Sequence, residues 1–200
     1  MIKTAYHLAE NIMGAKFVYT QSDEISILLT NNDTINTEAW FDNNMQKLVS
    51  VSAALATSYF NSAFQNKLRL FDLSDNAPIC AAANRLAVFD ARTFVLPEDE
   101  VVNYFIWRQN DCTRNAILNA GYAYFSHTQL YGKKCSEIQE LLFSEKGINF
   151  NDYPIMYKRG IGVKKFYDET LDRMKWKVDT TIPIFTQDRN YISECLISNT

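Results

Sequence analysis

The chain has 200 residues, 47% of them apolar and 22% charged, with a formal net charge of −3. That is the size and composition of one folded domain with its own core and excludes a disordered chain. Only 6 Gly and 4 Pro stand against 13 Phe, 11 Tyr and 3 Trp, which favours long regular elements over a sandwich of short strands and many turns.

In chain order, Ala5, Leu8, Ile12 and Met13 recur at helical spacing and predict a helix over residues 3–14, stopped by Gly14. Residues 15–30 predict strand, tight turn, strand, with Gln21-Ser22-Asp23-Glu24 at the turn. Residues 37–65 lack Gly and Pro and predict a long helix with Trp40, Met45, Leu48, Ser52, Leu55, Tyr59 and Phe60 on its buried stripe. Two strands are expected at residues 78–82 and 86–95, turning at Asn84-Arg85. Pro97 and the acidic run Glu98-Asp99-Glu100 open a helix to about Phe125. Ser136-Glu137-Ile138-Gln139 has capping-box spacing and opens a helix closed by Gly147. Strands are expected over residues 160–167 and 174–186, and a short helix from Asp188 to Ile197. No repeat or linker interrupts the chain, so residues 1–200 are expected to form one α+β domain.

No apolar run reaches the ~18 residues of a membrane span, and no signal peptide is visible at Met1. The four cysteines are scattered and the histidines number only two, so no zinc box can be written. These features predict a reducing, cytoplasmic setting without membrane contact. Charge is uneven. Residues 1–132 hold 9 basic against 13 acidic side chains, residues 133–177 hold 10 against 7, and residues 178–200 hold 1 against 3. The middle stretch is either a phosphate-binding surface or a solvated face with ordinary ion pairs.

Four places carry candidate chemistry. Asp23 and Glu24 put adjacent carboxylates at a hairpin tip, where they hold a hard cation or merely form a surface turn. Lys47 lies one turn after Asn43-Asn44 and either meets a triphosphate or snorkels. Trp107, Arg108, Asp111, Arg114 and Asn115 share helix faces, a pattern for stacking and phosphate contact or for a core tryptophan beside an ion pair. Asn149 and Asn151 follow Gly147 and bind a ribose, a base edge or the local backbone. Cys112 and Cys135 read as apolar fillers, and His127 as a cap or surface contact.

Taken together, these segments resemble the tRNA(His) guanylyltransferase family and its guanylyltransferase-like branch. The resemblance rests on Thr20-Gln21-Ser22-Asp23-Glu24-Ile25-Ser26, Gln46-Lys47 in the next helix, Phe89-Asp90-Ala91-Arg92, Trp107-Arg108-Gln109-Asn110-Asp111, Leu142-Phe143-Ser144-Glu145 and Pro183-Ile184-Phe185-Thr186, in order along the chain. It implies a palm-like antiparallel sheet flanked by long helices, with residues 1–132 as the catalytic part and 133–200 as a basic part completing the domain. It further implies 3′-to-5′ nucleotide addition. ATP or GTP activates a tRNA 5′-phosphate, the 3′-hydroxyl of GTP attacks it, two Mg²⁺ ions assist, and the protein is a homotetramer. By position, Asp23 and Glu24 would be catalytic and metal-binding. Ser22, Lys47, Asn115 and Asn149 would bind nucleotide, and Arg108, Asp111 and Arg114 would meet tRNA.

The family pattern also includes an upstream Arg-x-Asp-Gly strand with a further metal carboxylate. No such segment precedes the first helix here, and Thr113 and Gln139 stand where a histidine and a lysine are usual. A competing expectation is therefore a catalytically inactive, truncated tRNA-binding or subunit protein of the same fold. A nucleotide cyclase with a similar sheet is a third reading, against which the Trp-Arg-Gln-x-Asp run argues.

Overall fold

The computed structural model describes residues 1–70 and 77–197. Its centre is a four-stranded sheet built from the two ends of the chain. Strands β1 (Ala15–Gln21) and β2 (Glu24–Leu29) form one hairpin, and β3 (Ile161–Asp168) and β4 (Arg173–Asp179) form another. Antiparallel pairing of β1 with β3, from Phe17 opposite Lys164 to Thr20 opposite Ile161, joins them in the order β2-β1-β3-β4.

Alternation along β1 sorts its side chains onto two faces. Phe17 and Tyr19 enter a cluster with Val101, Val102, Phe105, Ile182, Phe185 and Ile192. Val18 faces the other way, with Ala5, Ala9 and Val163. Helix α1 (Ile2–Asn11) covers this second face and buries Thr4, Ala5, Leu8 and Ala9. Gly14 follows at φ 79°, and a Cβ there would lie 2.5 Å from the Thr30 carbonyl oxygen. The glycine is therefore required for the chain to turn into β1 beside Thr30.

Helix α2 (Met45–Leu70) lies outside α1, with the His7 and Tyr59 rings stacked at 3.8 Å and 8°. Helix α3 (Ala77–Ala83) follows. Helix α4 (Glu98–Tyr122) covers the Phe17 face of the sheet. Its far end joins α5 (His127–Leu130) and α6 (Cys135–Lys146) in a second core of Ile117, Ala120, Phe125, Leu130, Ile138, Leu142 and Phe150. Helix α7 (Ile155–Arg159) leads into β3, and α8 (Asn190–Ser193) closes the fold. Gly160, at φ 82°, passes so close to β1 that a Cβ would lie 2.7 Å from the Tyr19 hydroxyl and 2.8 Å from the Thr20 carbonyl oxygen.

The antiparallel sheet between long helices is the expected α+β class. Five features differ from expectation. The long helix starts at Met45, not residue 37, because Phe41, Asp42 and Asn43 take φ of 52–57° and the Asn44 side chain accepts from the Lys47 N–H at 3.1 Å. Residues 77–83 are helical, as their alanine content favours. The stretch after Leu86 pairs with no strand among the described residues; its backbone bonds to α2 side chains instead. Asn61 bonds both the N–H and the carbonyl of Ala87, at 3.0 and 2.8 Å, and Thr57 Oγ1 accepts from Phe89 N–H at 3.0 Å. Strand β4 stops at Asp179 rather than residue 186. Finally, α6 begins at Cys135, with Glu137 accepting from the Lys134 N–H at 2.6 Å, so Ser136 is not its cap.

Candidate functional site

The β1–β2 hairpin turns in two residues, Ser22 and Asp23. Ser22 adopts φ 47°, a left-handed value that tight hairpins require at the turn and side chains tolerate poorly. Asp23 is exposed at this tip and makes no ion pair among the described residues. Glu24 opens β2 and is held from two sides: Gln21 Nε2 donates to its Oε2 at 2.8 Å, and Arg108 of α4 forms a salt bridge to the same oxygen. Thr20 Oγ1 donates to the Glu24 carbonyl at 2.9 Å, fixing the strand beneath.

On α4, Arg108, Asp111, Arg114 and Asn115 fall on one side of the helix, as three- and four-residue spacing demands. Asp111 accepts from Arg108 at 3.4 Å, Arg114 at 2.6 Å and Asn115 at 3.4 Å. The Arg108 guanidinium lies 4.5 Å from the Trp107 ring centre. Its side chain is 11% exposed, whereas that of Arg114 is 62% exposed and open to a phosphate. Trp107 is 58% exposed, so it is not the core tryptophan that one reading of its helix allowed. The outcome is a chain of alternating charges, Glu24–Arg108–Asp111–Arg114, beside an exposed indole. Such a surface can receive an anionic phosphate at Arg114 and a flat base against Trp107.

Neighbouring residues that were not singled out hold this site in place. Gln109, only 3% exposed, donates to the Pro183 carbonyl at 2.9 Å and accepts from Phe185 N–H at 2.8 Å. Thr113 Oγ1 donates to the Lys158 carbonyl at 3.0 Å, and Tyr19 donates to the Arg159 carbonyl at 2.6 Å. Burial raises the Tyr19 hydroxyl pKa far above its ordinary value, with Cys112 adding to the effect. Burial also raises the Cys112 thiol, and it pushes Cys195 up to about 11, so both are filler rather than nucleophiles. The signal for Gln109 was its place inside the Trp-Arg-Gln run, where neighbouring charges drew attention away from an amide.

Two expected contributors lie apart from this cluster. The Lys47 ammonium rests 5.6 Å from the Phe41 ring. Asn149 caps a single 3₁₀ turn, accepting from Asn151 N–H at 3.0 Å, and lines a cavity of about 330 Å³ with Ser136, Gln139, Glu140, Phe143, Phe150 and Asn151. The basic segment after residue 133 pairs partly with rings: Lys164 sits 3.8 Å from the Tyr191 ring, Lys165 lies 5.3 Å from Trp176, and Lys175 bridges Asp168 at 3.3 Å.

Among the described residues, no group of three His, Cys, Asp or Glu side chains converges to hold a metal ion. With Glu24 Oε2 engaged by Arg108 and Gln21, the donor set does not fit two Mg²⁺ ions. Asp23 alone can add a carboxylate to one ion that arrives coordinated to phosphate oxygens.

The antiparallel sheet between long helices recurs in proteins of known structure. A bacterial tRNA(His) guanylyltransferase-like protein in complex with ATP superposes with a TM-score of 0.82 and 46% identity, covering 98% of this chain and 77% of that one. A second structure of that description, in complex with GTP, gives a TM-score of 0.74 and 41% identity over 97% of this chain and 75% of that one. The tRNAHis guanylyltransferase family model matches residues 1–97, and the model of that family's C-terminal domain matches residues 99–190. The chain belongs to the tRNA(His) guanylyltransferase family. The tRNA(His) guanylyltransferase of Debaryomyces hansenii is 30% identical over 189 residues, 84% of this chain and 64% of that protein. The chain spans between 52% and 66% of the length of the first curated relatives it matches. No described helix is long and apolar enough to cross a membrane.

Proposed function

We propose that the chain is a nucleotidyltransferase that adds a GTP-derived nucleotide to the 5′ end of a tRNA. The observation that carries this reading is the joining of the hairpin acid Glu24 to α4 through Arg108, with Asp23 left open at the tip and Arg114 open on the helix. Relatives of the same fold that bind ATP and GTP support it. The tRNA 5′-phosphate attacks the α-phosphorus of ATP and releases pyrophosphate, and the 3′-hydroxyl of GTP then gives its proton to water, attacks the activated 5′-phosphorus and expels AMP. Little covalent help is needed, since phosphoryl transfer depends on alignment and charge. Arg114 and Ser22 meet phosphate oxygens, Trp107 offers its face to a base, and Asp111 keeps both arginines aimed. Asp23 would hold one Mg²⁺ ion arriving with a triphosphate, and such an ion would offset phosphate charge. Asn115, bonded to Asp111 within the cluster, meets the same nucleotide, whereas Asn149 and Lys47 contact a substrate that extends beyond it.

The test is transfer of label from α-labelled GTP to a 5′-monophosphorylated tRNA in the presence of ATP and Mg²⁺. Transfer should occur and fall at least a hundredfold in Asp23→Ala. Absence of transfer to intact and 5′-truncated tRNA alike sinks the reading.

A second reading is a non-catalytic tRNA-binding protein, favoured by the incomplete metal-donor set. It predicts tRNA affinity that falls steeply with salt and is unchanged in Asp23→Ala.

A further inference from the structure

We propose that the junction of α4 and α5 is a second RNA surface, on which unpaired nucleotides stack. Tyr122 ends α4, and its ring lies parallel to that of His127, at 5° and 6.1 Å between centres. The Tyr131 ring lies next to it, 6.0 Å from His127 and tilted by 46°. Tyr122 is 48% exposed and Tyr131 79% exposed, and the His127 ring between them is exposed as well. These rings contribute little to the adjacent core of Ile117, Phe125, Leu130 and Ile138.

The row is rigid. Ser126 and Gln129 form a reciprocal capping box at the start of α5, with the Ser126 N–H donating to Gln129 Oε1 at 2.9 Å. Gly121 admits the layer below, since a Cβ there would lie 2.7 Å from Ile138 and 3.0 Å from Leu130. Rings held in place before binding lose little freedom when a base stacks on them.

Charge selects the partner. From Cys112 through Ser136 the sequence has no carboxylate but contains Arg114, Lys133 and Lys134. Lys133 and Lys134 are exposed just after Tyr131 and Gly132. The nearest acid, Glu137, is occupied by the Lys134 backbone N–H, and Lys146 lies 5.2 Å from the Phe125 ring on the neighbouring helix. Exposed flat rings beside cations, in a stretch of chain without a carboxylate, suit a polyanion whose bases are free to stack, which means unpaired RNA rather than duplex. Tyr122 is fourteen residues beyond Arg108 on one continuous helix, or about 21 Å away. The row is thus distinct from the Glu24–Arg108 cluster. That the nucleic acid is RNA rests on the tRNA substrate proposed above; the surface's own binding does not require transfer.

The test is fluorescence anisotropy of a labelled oligoadenylate and a labelled blunt RNA duplex against the full chain. Tyr131→Ala should weaken oligoadenylate binding about tenfold, while Tyr131→Phe retains it and duplex binding is unchanged. Lys133→Gln with Lys134→Gln should lower the salt slope for the oligonucleotide by about 1.4. Unchanged oligoadenylate binding in Tyr131→Ala overturns the proposal. So does a Tyr131→Ala variant that instead loses self-association in sedimentation. If the wild-type chain transfers no nucleotide yet binds oligoadenylate through Tyr131, this surface stands and the enzyme reading falls. If transfer occurs but Tyr131→Ala changes no RNA affinity, the enzyme reading stands and this surface falls.

Discussion

Helices α2 and α4 have nearly the same length, 26 and 25 residues, yet they do opposite things in the fold. Only Ala56 of α2 is buried, whereas α4 buries Val101, Val102, Phe105, Gln109, Cys112, Ile117, Ala120 and Gly121. Helix α4 spans both hydrophobic cores and also carries Arg108, Asp111 and Arg114. Helix α2 instead uses polar side chains, Asn61 and Thr57, to hold a segment that leaves Leu86 and Val95 facing water. A charge cluster of fixed geometry must be held still, and the helix clamped on several sides does that. The peripheral helix tolerates change because little depends on its inner face.

The sharpest test of this contrast is a matched pair of truncations. Phe105 lies at 5.0 Å from Phe17 and is 2% exposed, so Phe105→Ala should cost about 3–5 kcal/mol in urea unfolding. Phe60 of α2 is only half-buried against Phe64 and Phe89, and Phe60→Ala should cost about 1–2 kcal/mol. Equal losses would mean that the two helices share the fold's stability and would break the comparison.

Gln109 sharpens it further, because its two bonds pin the segment Pro183–Phe185 to α4. Gln109→Leu keeps the volume but leaves the buried Phe185 N–H without a partner, which should cost about 2 kcal/mol. Hydrogen exchange should show faster protection loss at Phe185 than at α2 amides. No change at Phe185 would assign this residue a chemical role rather than a structural one.

Arg108 separates stability from activity. Its partner Glu24 is half-exposed, so Arg108→Gln should cost no more than about 1 kcal/mol of stability. Guanylyl transfer to tRNA should nevertheless drop about a hundredfold, since a preorganised charge facing the hairpin is lost. A variant that unfolds readily but keeps full transfer would place the reaction elsewhere.

How much of this was readable in advance follows the same division. The first hairpin was legible because polar turn residues separate two apolar runs, and α4 because three acids follow Pro97. Residues 37–44 were misread as helix: an absence of Gly and Pro does not exclude left-handed backbone at Phe41, Asp42 and Asn43. The 86–95 stretch looked like a strand because it is apolar; that its hydrogen bonds go to side chains of α2 is a tertiary fact. The capping box at Ser126 was legible as Ser-x-x-Gln but was passed over for the spacing at Ser136. Asp23, Glu24 and the α4 charges were visible as motifs, whereas the Glu24–Arg108 bond connects residues 84 positions apart and no local pattern encodes it.

The smallest expected effect concerns the latch that seals the α4 side of the sheet. Asp179 ends β4 and accepts from Thr181 N–H at 2.8 Å and from the Tyr191 hydroxyl at 2.8 Å. Tyr191 in turn packs its ring at 5.7 Å from Phe185, in the core that α4 covers. Burial alone would raise the Asp179 pKa, but the Thr181 and Tyr191 hydrogen bonds and the Lys164 charge outweigh it and hold the carboxyl below its ordinary value. A depressed carboxyl pKa stabilises the folded state fully above the unfolded value of about 4, and this contribution is lost as pH falls through the lower folded value. Solvent screening keeps it below about 1 kcal/mol. Asp179→Asn should therefore be slightly less stable than the wild type at pH 7, and the two unfolding curves should converge as pH drops below about 4. A difference that persists unchanged at the acid end would mean that the asparagine disturbs packing at Tyr191, and that this latch works through shape rather than charge.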